Sequence, residues 1–223
     1  MYKALYIEEG KRLEHIKTFA SQTLESRMGT LILEGPLSYE ALEGLTLHPG
    51  LKAFRPAPQQ HKALLNISQM PEGRIVVARL DDVIVGYVTI LYPDPLERWS
   101  EAKMDDLIEL GAIEVISECR GAGVGKALVR LSMSDDALED FIVITTEYYW
   151  HWDLKSTGLS VWDYRKMMEK MMNAGGLTEY TTDDPEITAH PANCLMARIG
   201  SRVPQESIDA FDRIRFYNRY RNS

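Results

Sequence analysis

The residues that point most clearly to a chemistry form a glycine-rich turn near the middle of the chain. After an apolar stretch and a short polar turn, the chain reads Arg120-Gly-Ala-Gly-Val-Gly-Lys126. Glycine lacks the Cβ that would keep backbone N–H groups away from an anion, and a helix that begins here adds partial positive charge at its N-terminus. We therefore predict a pyrophosphate site. Its candidate ligands are Arg120, Gly121, Ala122, Gly123, Val124, Gly125 and Lys126.

Two other kinds of phosphate-binding glycine loop do not fit this spacing. A P-loop requires a hydroxyl residue directly after its lysine to bind magnesium, but Ala127 follows Lys126. A dinucleotide-binding loop requires Gly-x-Gly-x-x-Gly after the first strand of a βαβ unit, whereas here Gly121, Gly123 and Gly125 alternate in the middle of the chain. Both kinds of loop are therefore poor fits to this sequence.

The passage resembles motif A of the GNAT acetyltransferases, a strand followed by a Val-x-Ser/Pro-x-x-Arg-Gly-x-Gly-x-Gly turn. The matching residues are Val115, Ser117, Arg120, Gly121, Gly123 and Gly125, with Ser117 where proline is commoner. The resemblance implies a GNAT acyl-CoA N-acyltransferase fold of the α/β (α+β) class, with a mixed, mostly antiparallel sheet flanked by helices. It also implies acetyl-CoA as co-substrate and no metal. The pantetheine would pair with Ile113, Glu114 and Val115 like an extra strand, and an N–H near Val115 would face the oxyanion.

Acetyl transfer to an amine requires a base, because a lysine with a pKa of about 10.4 is only about one part in 10³ neutral at pH 7. In GNAT enzymes a carboxylate on the fourth strand commonly takes the proton, and here that strand carries Glu109 and Glu114. Strict alternation puts Glu109 on one face with Gly111, Ile113 and Val115, and Glu114 on the other, unless a bulge intervenes. We favour Glu109 as the base, with Glu114 second. The alternative for each glutamate is that it is a solvated or salt-bridged carboxylate with no part in catalysis.

The family's general acid has no clear counterpart here. Many GNAT enzymes use a tyrosine to protonate the departing thiolate, and alignment on Gly200 places Met196 at its position. A thiol with a pKa of about 8.5 leaves tolerably without protonation. Tyr148, Tyr149 and Tyr180 are the alternative acids, and each also fits a packing role.

Composition and charge fit one compact enzyme domain. The chain has 223 residues, of which 45% are hydrophobic, so it can bury a full core. A net charge of -8 argues against broad nucleic-acid binding. Cys119 and Cys194 make neither a disulfide framework nor a zinc site, and no stretch approaches the roughly 20 apolar residues of a membrane span. We expect a cytoplasmic protein that contacts neither membrane nor nucleic acid.

The order of predicted elements also fits the GNAT fold. Apolar runs, β-branched residues and turn signals predict strand 29–34, helices 38–42 and 58–69, strands 73–80 and 83–91 joined by a two-residue turn, strand 107–116 and helix 124–133. We assign residues 1–28 to an N-terminal extension, residues 29–204 to the acetyltransferase domain and residues 205–223 to a C-terminal helix.

Residues 135–182 allow two interpretations. In one, residues 141–146 form the fifth strand and a helix follows over 162–172. In the other, residues 138–152 carry a helical stripe within an insertion of about residues 135–175, and 177–182 is the fifth strand. We favour the second, because residues 191–200 resemble the helix that follows the fifth GNAT strand and lines the pantetheine. On that alignment Asn193 binds the CoA arm, and capping that helix is its alternative role.

Four longer strings resemble a narrower family, the AcuA acetoin-utilization acetyltransferases of Bacillus-type bacteria. They are Leu91-Tyr-Pro-Asp-Pro-Leu-Glu-Arg-Trp-Ser100, Glu147-Tyr-Tyr-Trp-His-Trp-Asp153, Tyr164-Arg-Lys-Met-Met-Glu-Lys-Met-Met-Asn-Ala-Gly-Gly176 and His190-Pro-Ala-Asn-Cys-Leu-Met-Ala-Arg-Ile-Gly200. The similarity covers roughly residues 29 to 218. It implies a protein lysine acetyltransferase that modifies AMP-forming acetyl-CoA synthetase at its catalytic lysine and so inactivates it.

Two other functions remain open at this point. A small-amine N-acetyltransferase would have a closed acidic pocket, and a non-catalytic acyl-CoA sensor would inhibit the synthetase without chemistry. The aromatic segment Tyr148-Tyr-Trp-His-Trp152 fits either a docking surface for a large protein or a packed core.

Overall fold

A computed structural model describes residues 13–218. Within these residues the chain forms nine strands and seven α-helices. The strands are β1 Ala20–Ser26, β2 Gly29–Gly35, β3 Thr46–Leu47, β4 Arg74–Leu80, β5 Val83–Leu91, β6 Leu107–Val115, β7 Ile142–Glu147, β8 Thr178–Tyr180 and β9 Cys194–Ile199. The helices are α1 Tyr39–Glu43, α2 Ala57–Ser68, α3 Val124–Ser132, α4 Leu154–Thr157, α5 Val161–Asn173, α6 Pro185–Thr188 and α7 Gln205–Arg215.

The strands form one mixed sheet in the order β1-β2-β4-β5-β6-β7-β9-β8, and the short β3 pairs with the start of β5. Neighbours along the main path are antiparallel except β6 and β7, which are parallel. This arrangement confirms the predicted mixed, mostly antiparallel sheet. The predicted hairpin is also present, since β4 ends at Leu80 and β5 begins at Val83 after a two-residue turn.

Two layers of helices cover the sheet. On one face α3 packs against the central strands and against α5, which begins where the Ser160 hydroxyl accepts the N–H of Asp163. Met168 and Met172 of α5 are buried, as expected for methionines four residues apart on one helical face. On the other face α7 covers β7 and β9, with Phe211 fully buried between them. No helix within residues 13–218 is long and apolar enough to cross a membrane.

The interpretation that we favoured for the middle of the chain is wrong. Residues 142–147 form β7, which lies between β6 and β9, so the proposed insertion of residues 135–175 contains a central strand. Both faces of β7 are covered, and its consecutive apolar residues therefore do not alternate with polar ones. The β-branched run Ile142-Val-Ile-Thr-Thr146 was the better signal, because such residues favour strands.

The C-terminal and N-terminal assignments also change. Residues 194–199, predicted as part of a helix, form β9, and the predicted strand over 177–182 is reduced to the short edge strand β8. Residues 20–26, assigned to an N-terminal extension, form β1 and pair with β2 along their whole length. The predicted C-terminal helix is present as α7, while residues 1–12 and 219–223 lie outside the described residues.

Candidate active site

The centre of the sheet opens where β6 and β7 diverge. The two parallel strands pair only through Leu107–Ile142, Ile108–Val143 and Glu109–Ile144. Strand β6 continues to Val115, and among the described residues no strand pairs with the side of residues 110–115 that faces away from β5. Such an open strand edge can accept an extended ligand through backbone hydrogen bonds. The predicted partners of the pantetheine, residues 113–115, lie on this edge.

A β-bulge in β6 lies at the divergence. Ala112 faces Thr89 of β5, whereas Leu110 faces the next residue, Ile90. Gly111 is therefore the extra residue on the bulged strand, and the alternation of side chains shifts there by one position.

The bulge places Glu109 and Glu114 on the same face of the sheet, contrary to strict alternation. Glu109 is opposite Leu91 and Glu114 is opposite Tyr87. Directly opposite residues share a face, and Leu91 and Tyr87 are four residues apart on β5. The predicted separation of the two glutamates onto opposite faces is therefore wrong.

Glu114 is fully engaged by the protein. Its Oε1 atom accepts the backbone N–H groups of Lys52 (2.7 Å) and Ala53 (2.8 Å). Its Oε2 atom accepts the hydroxyl of Tyr87 at 2.9 Å. These bonds tie the loop after β3 to β6, and they favour a structural role for this carboxylate over a role as base.

Glu109 is in a different environment. Within the described residues its side chain accepts one hydrogen bond, from the Thr146 hydroxyl to Oε1 at 3.3 Å. Burial, and next the negative charge of Glu97, raise the pKa of Glu109 to about 8. A carboxylate with a pKa near the working pH is a competent general base. Glu109, at the divergence of the two strands, therefore stays the favoured candidate for the base.

An open cleft lies close along the chain to Thr146, the hydrogen-bond partner of Glu109, although Glu109 itself does not line it. It has a volume of about 490 Å³, and its lining residues are Glu97, Tyr148, Trp150, His151, Pro185, Glu186 and Ala189. Tyr148 follows β7 two residues after Thr146, the residue that donates to Glu109. The Tyr148 and Trp150 rings stack with centroids 4.9 Å apart, and Trp150 is 49% exposed. The cleft thus combines carboxylates with an aromatic wall. Nothing in the local sequence pattern marks Glu97, Thr146 or Glu186, so none of them was predicted to have a role.

The candidate general acids differ in their surroundings. Met196 is fully buried in β9. Tyr149 packs on His190 with ring centroids 4.1 Å apart, and Tyr180 packs on Phe211 at 5.9 Å. Among the three tyrosines, Tyr148 lines the cleft. The residues of the aromatic segment 148–152 therefore lie in two environments: Trp152 is buried in the core and Trp150 is on the surface.

The glycine-rich turn has the geometry of an anion site. Gly121 and Gly123 adopt φ values of 82° and 79°, in the left-handed region that favours glycine. Helix α3 begins directly after Gly123. Within residues 13–218 no backbone acceptor faces the N–H groups of Val124, Gly125 or Lys126, as is general for the first turn of a helix. These three amides are available to a phosphate group.

Other predicted ligands in this turn have different surroundings. A Cβ at Gly125 would lie 2.6 Å from Sδ of Met171, so this glycine permits α5 to approach α3. The side chain of Val124 is in the core, which leaves only its backbone for a ligand. Arg120 donates to Asp153 Oδ2 and to Ser156 Oγ, both at 3.0 Å, and these partners belong to the start of α4. Its guanidinium therefore has protein partners in this structure.

Asn193 is buried, and both ends of its amide have protein partners. Its Oδ1 accepts the N–H of Tyr149 at 3.0 Å, and its Nδ2 donates to the carbonyl of Glu186 at 2.9 Å. The helix on which it was predicted to lie is absent, because β9 begins at the next residue. The contacts support a role in joining α6 to the start of the aromatic segment, and they do not support the predicted contact with the CoA arm.

Replacing Gly123 with alanine tests the anion site. The left-handed conformation disfavours alanine by about 1–2 kcal/mol, so the turn will relax and misplace the amides that follow. We expect the KM for acetyl-CoA to rise roughly tenfold with a smaller change in kcat. Gly158, at the end of α4, has a φ of 66° and nothing within 4 Å of an added Cβ, so Gly158→Ala is the matched control. Equal KM values in the two variants would count against the site.

The comparisons with known proteins agree with this geometry. The Acetyltransferase (GNAT) family matches residues 45–148. The chain is 61% identical over 208 residues to the acetoin utilization protein AcuA of Bacillus subtilis strain 168, an alignment that covers 93% of this chain and 99% of that protein. The chain belongs to the AcuA family. Bacillus licheniformis AcuA has the same identity and coverage.

A solved structure supports the fold of this AcuA-family protein. The crystal structure of the acetoin utilization protein from Exiguobacterium sibiricum 255-15 superposes with a TM-score of 0.91 at 53% identity, covering 93% of this chain and 99% of that one. Membership of the AcuA family together with the GNAT match identifies an N-acetyltransferase, and GNAT enzymes use acetyl-CoA as co-substrate. The GNAT fold predicted from the glycine-rich turn is confirmed.

Proposed function

We propose that this protein transfers the acetyl group of acetyl-CoA to the catalytic lysine of AMP-forming acetyl-CoA synthetase and thereby inactivates it during acetoin or acetate utilization. The observation that carries the chemistry is the position of Glu109 where β6 and β7 diverge, bonded to Thr146, which lies two residues before Tyr148 of the cleft. The choice of acceptor protein rests on the resemblance to the AcuA family. Two free, buried cysteines are compatible with a reducing cytoplasm as the site of the reaction.

The donor would lie across the open part of the sheet. Its pyrophosphate would accept the N–H groups of residues 124–126, and its pantetheine would run along the unpaired edge of residues 110–115. This direction brings the thioester toward Gly111 and Glu109, where β6 and β7 meet. The open edge also leaves backbone N–H groups near the thioester for the oxyanion.

The reaction then proceeds by direct attack. Glu109 takes one proton from the lysine ammonium, and the neutral nitrogen attacks the thioester carbonyl to form a C–N bond. The tetrahedral intermediate collapses as the C–S bond breaks, and the electron pair leaves on the CoA sulfur. Since a thiol has a pKa of about 8.5, the thiolate can depart and be protonated from solvent. Burial raises the pKa of Tyr148 in the cleft above the ordinary tyrosine value, which makes its hydroxyl a weak acid for this step. The second amine proton passes to solvent as the amide forms.

The shape of the cleft favours an acceptor carried by a protein. A small free amine requires a closed pocket that surrounds it, whereas this cleft is open and has Trp150, half exposed, on its wall. An open entrance would let a lysine side chain enter the cleft while the protein that carries it stays outside.

Acceptor choice is tested by competition between substrates. We expect purified AMP-forming acetyl-CoA synthetase to incorporate label from acetyl-CoA in the presence of this protein, and a variant with its catalytic lysine replaced by arginine to incorporate none. Polyamines and aminosugars at equal concentration serve as the alternative acceptors. Faster turnover of these amines would contradict the proposal, as would inhibition of the synthetase by this protein without acetyl-CoA and without incorporation of label.

A further inference from the structure

A carboxylate in the acceptor cleft lacks the partners that buried carboxylates normally have. The side chain of Glu97 is partly buried, and its Oε2 atom is buried without a hydrogen-bond partner among the described residues. Burial, together with the negative charges of Asp94, Glu186 and Asp184, raises the pKa of Glu97. An unpaired buried oxygen destabilises a fold, so its presence is more readily explained by a ligand than by a structural role.

The surroundings of Glu97 define the chemistry of that ligand. Glu97 and Glu186 supply negative charge to the cleft, while Tyr148 and Trp150 supply a stacked aromatic wall. Asp184, by contrast, is paired with Arg98 at 3.5 Å. A carboxylate beside aromatic faces suits an alkyl chain that ends in a cation, because methylene groups pack on the rings and the cation is attracted to both.

Glu97 also lies in the electrostatic environment of the base. Burial is the largest cause of the raised pKa of Glu109, and the negative charge of Glu97 is the second. The charge of Asp94 raises this pKa by a smaller amount. Thr146, which donates to Glu109, lies two residues before Tyr148 of the cleft. A cation held by Glu97 would therefore be close to the carboxylate that must remove its proton.

We propose that Glu97 binds the ammonium group of the acceptor lysine and is the residue that selects a cationic acceptor. This inference deepens the proposed function and rests on it for the identity of the donor. The lysine methylenes lie against Tyr148 and Trp150, the ammonium binds Glu97, and Glu109 then takes one of its protons. Glu97 is thus a specificity residue that touches the substrate, and it does not itself move a proton.

The substitution Glu97→Gln separates this role from a structural one. The binding probe is a synthetic peptide with a single lysine, titrated by NMR into the protein saturated with CoA, so that no turnover occurs. We expect the Kd of the peptide to rise roughly ten- to a hundred-fold, because a charged hydrogen bond is replaced by a neutral one. The Tm of the variant is expected to stay unchanged or to rise, since an unpaired buried charge is removed. Glu101→Gln, in the same turn but exposed, is the matched control.

A second readout uses the coupling between the two carboxylates. Removing the charge of Glu97 is expected to lower the pKa of Glu109, which 13C-labelled glutamate would report by NMR without any substrate. An unchanged Kd for the lysine peptide, or a titration of Glu109 unaffected by the substitution, would overturn the inference. Loss of peptide binding in Glu97→Gln combined with no acetyl transfer by the unaltered protein would instead refute the proposed function and leave the acceptor site in place.

Discussion

Replacing Glu109 with glutamine is expected to lower kcat by roughly 10²- to 10⁴-fold, the range typical for loss of a general base. Glutamine keeps the size of the side chain and can still accept the hydroxyl of Thr146, but it cannot take a proton from the lysine ammonium. The KM for acetyl-CoA should change little, because the substitution does not alter the backbone N–H groups proposed to bind the pyrophosphate or the open edge of β6. Release of the CoA thiol at saturating acetyl-CoA measures the effect.

Substitutions at two other glutamates serve as controls for Glu109→Gln. Glu147 is also buried, with a pKa raised to about 7 by burial, but its Oε2 accepts the Trp152 indole N–H (3.0 Å) in the core. Glu147→Gln is therefore a control for loss of a buried carboxylate outside the cleft, and we expect it to keep most of the activity. Glu114→Gln tests the second candidate base. A larger loss of kcat in Glu114→Gln than in Glu109→Gln would reverse the assignment.

The pH dependence of kcat/KM is the second large effect that we expect. Glu109 must be ionised to act as a base, so activity should rise as the pH increases through its pKa of about 8. At two pH units below this pKa only about 1% of the side chain is ionised, and kcat/KM should fall roughly a hundredfold from its plateau. The acceptor lysine stays mostly protonated throughout and adds no inflection in this range.

Two variants test whether the inflection in the pH profile of kcat/KM comes from Glu109. Glu109→Gln should remove the rise near pH 8 from whatever activity remains, whereas Glu147→Gln should retain it. A flat profile between pH 6 and pH 9 in the unaltered protein would contradict the assignment of the base. The same conclusion would follow if the inflection persisted in Glu109→Gln.

Local signals in the sequence were sufficient for one half of the site. The glycine-rich turn and the helix that follows it depend on a few adjacent residues, so the sequence pattern was enough to predict both, and the structure adds the positive φ values of Gly121 and Gly123. The hairpin of β4 and β5 was likewise predicted from adjacent residues, the two strand-forming runs and the two-residue turn between them. Glu109 was identified as the favoured base from its position on the strand that leads into this turn.

The other half of the site depends on tertiary structure. Strands β7 and β9 are buried on both faces, so their apolar runs lack the alternation that distinguishes a strand from a helix. The bulge at Gly111 is a property of the pairing with β5, and it decides which face Glu114 occupies. Glu97 and Tyr148 meet across the cleft from segments some 50 residues apart, which no local pattern encodes.

The intact mass of AMP-forming acetyl-CoA synthetase, measured after incubation with acetyl-CoA and this protein, tests the proposed reaction most directly. We expect the synthetase to gain the mass of one acetyl group in parallel with loss of its activity, and to gain none when Glu109→Gln replaces the unaltered protein at the same concentration. An unchanged synthetase mass, with the unaltered protein folded and able to bind acetyl-CoA, would contradict the proposal.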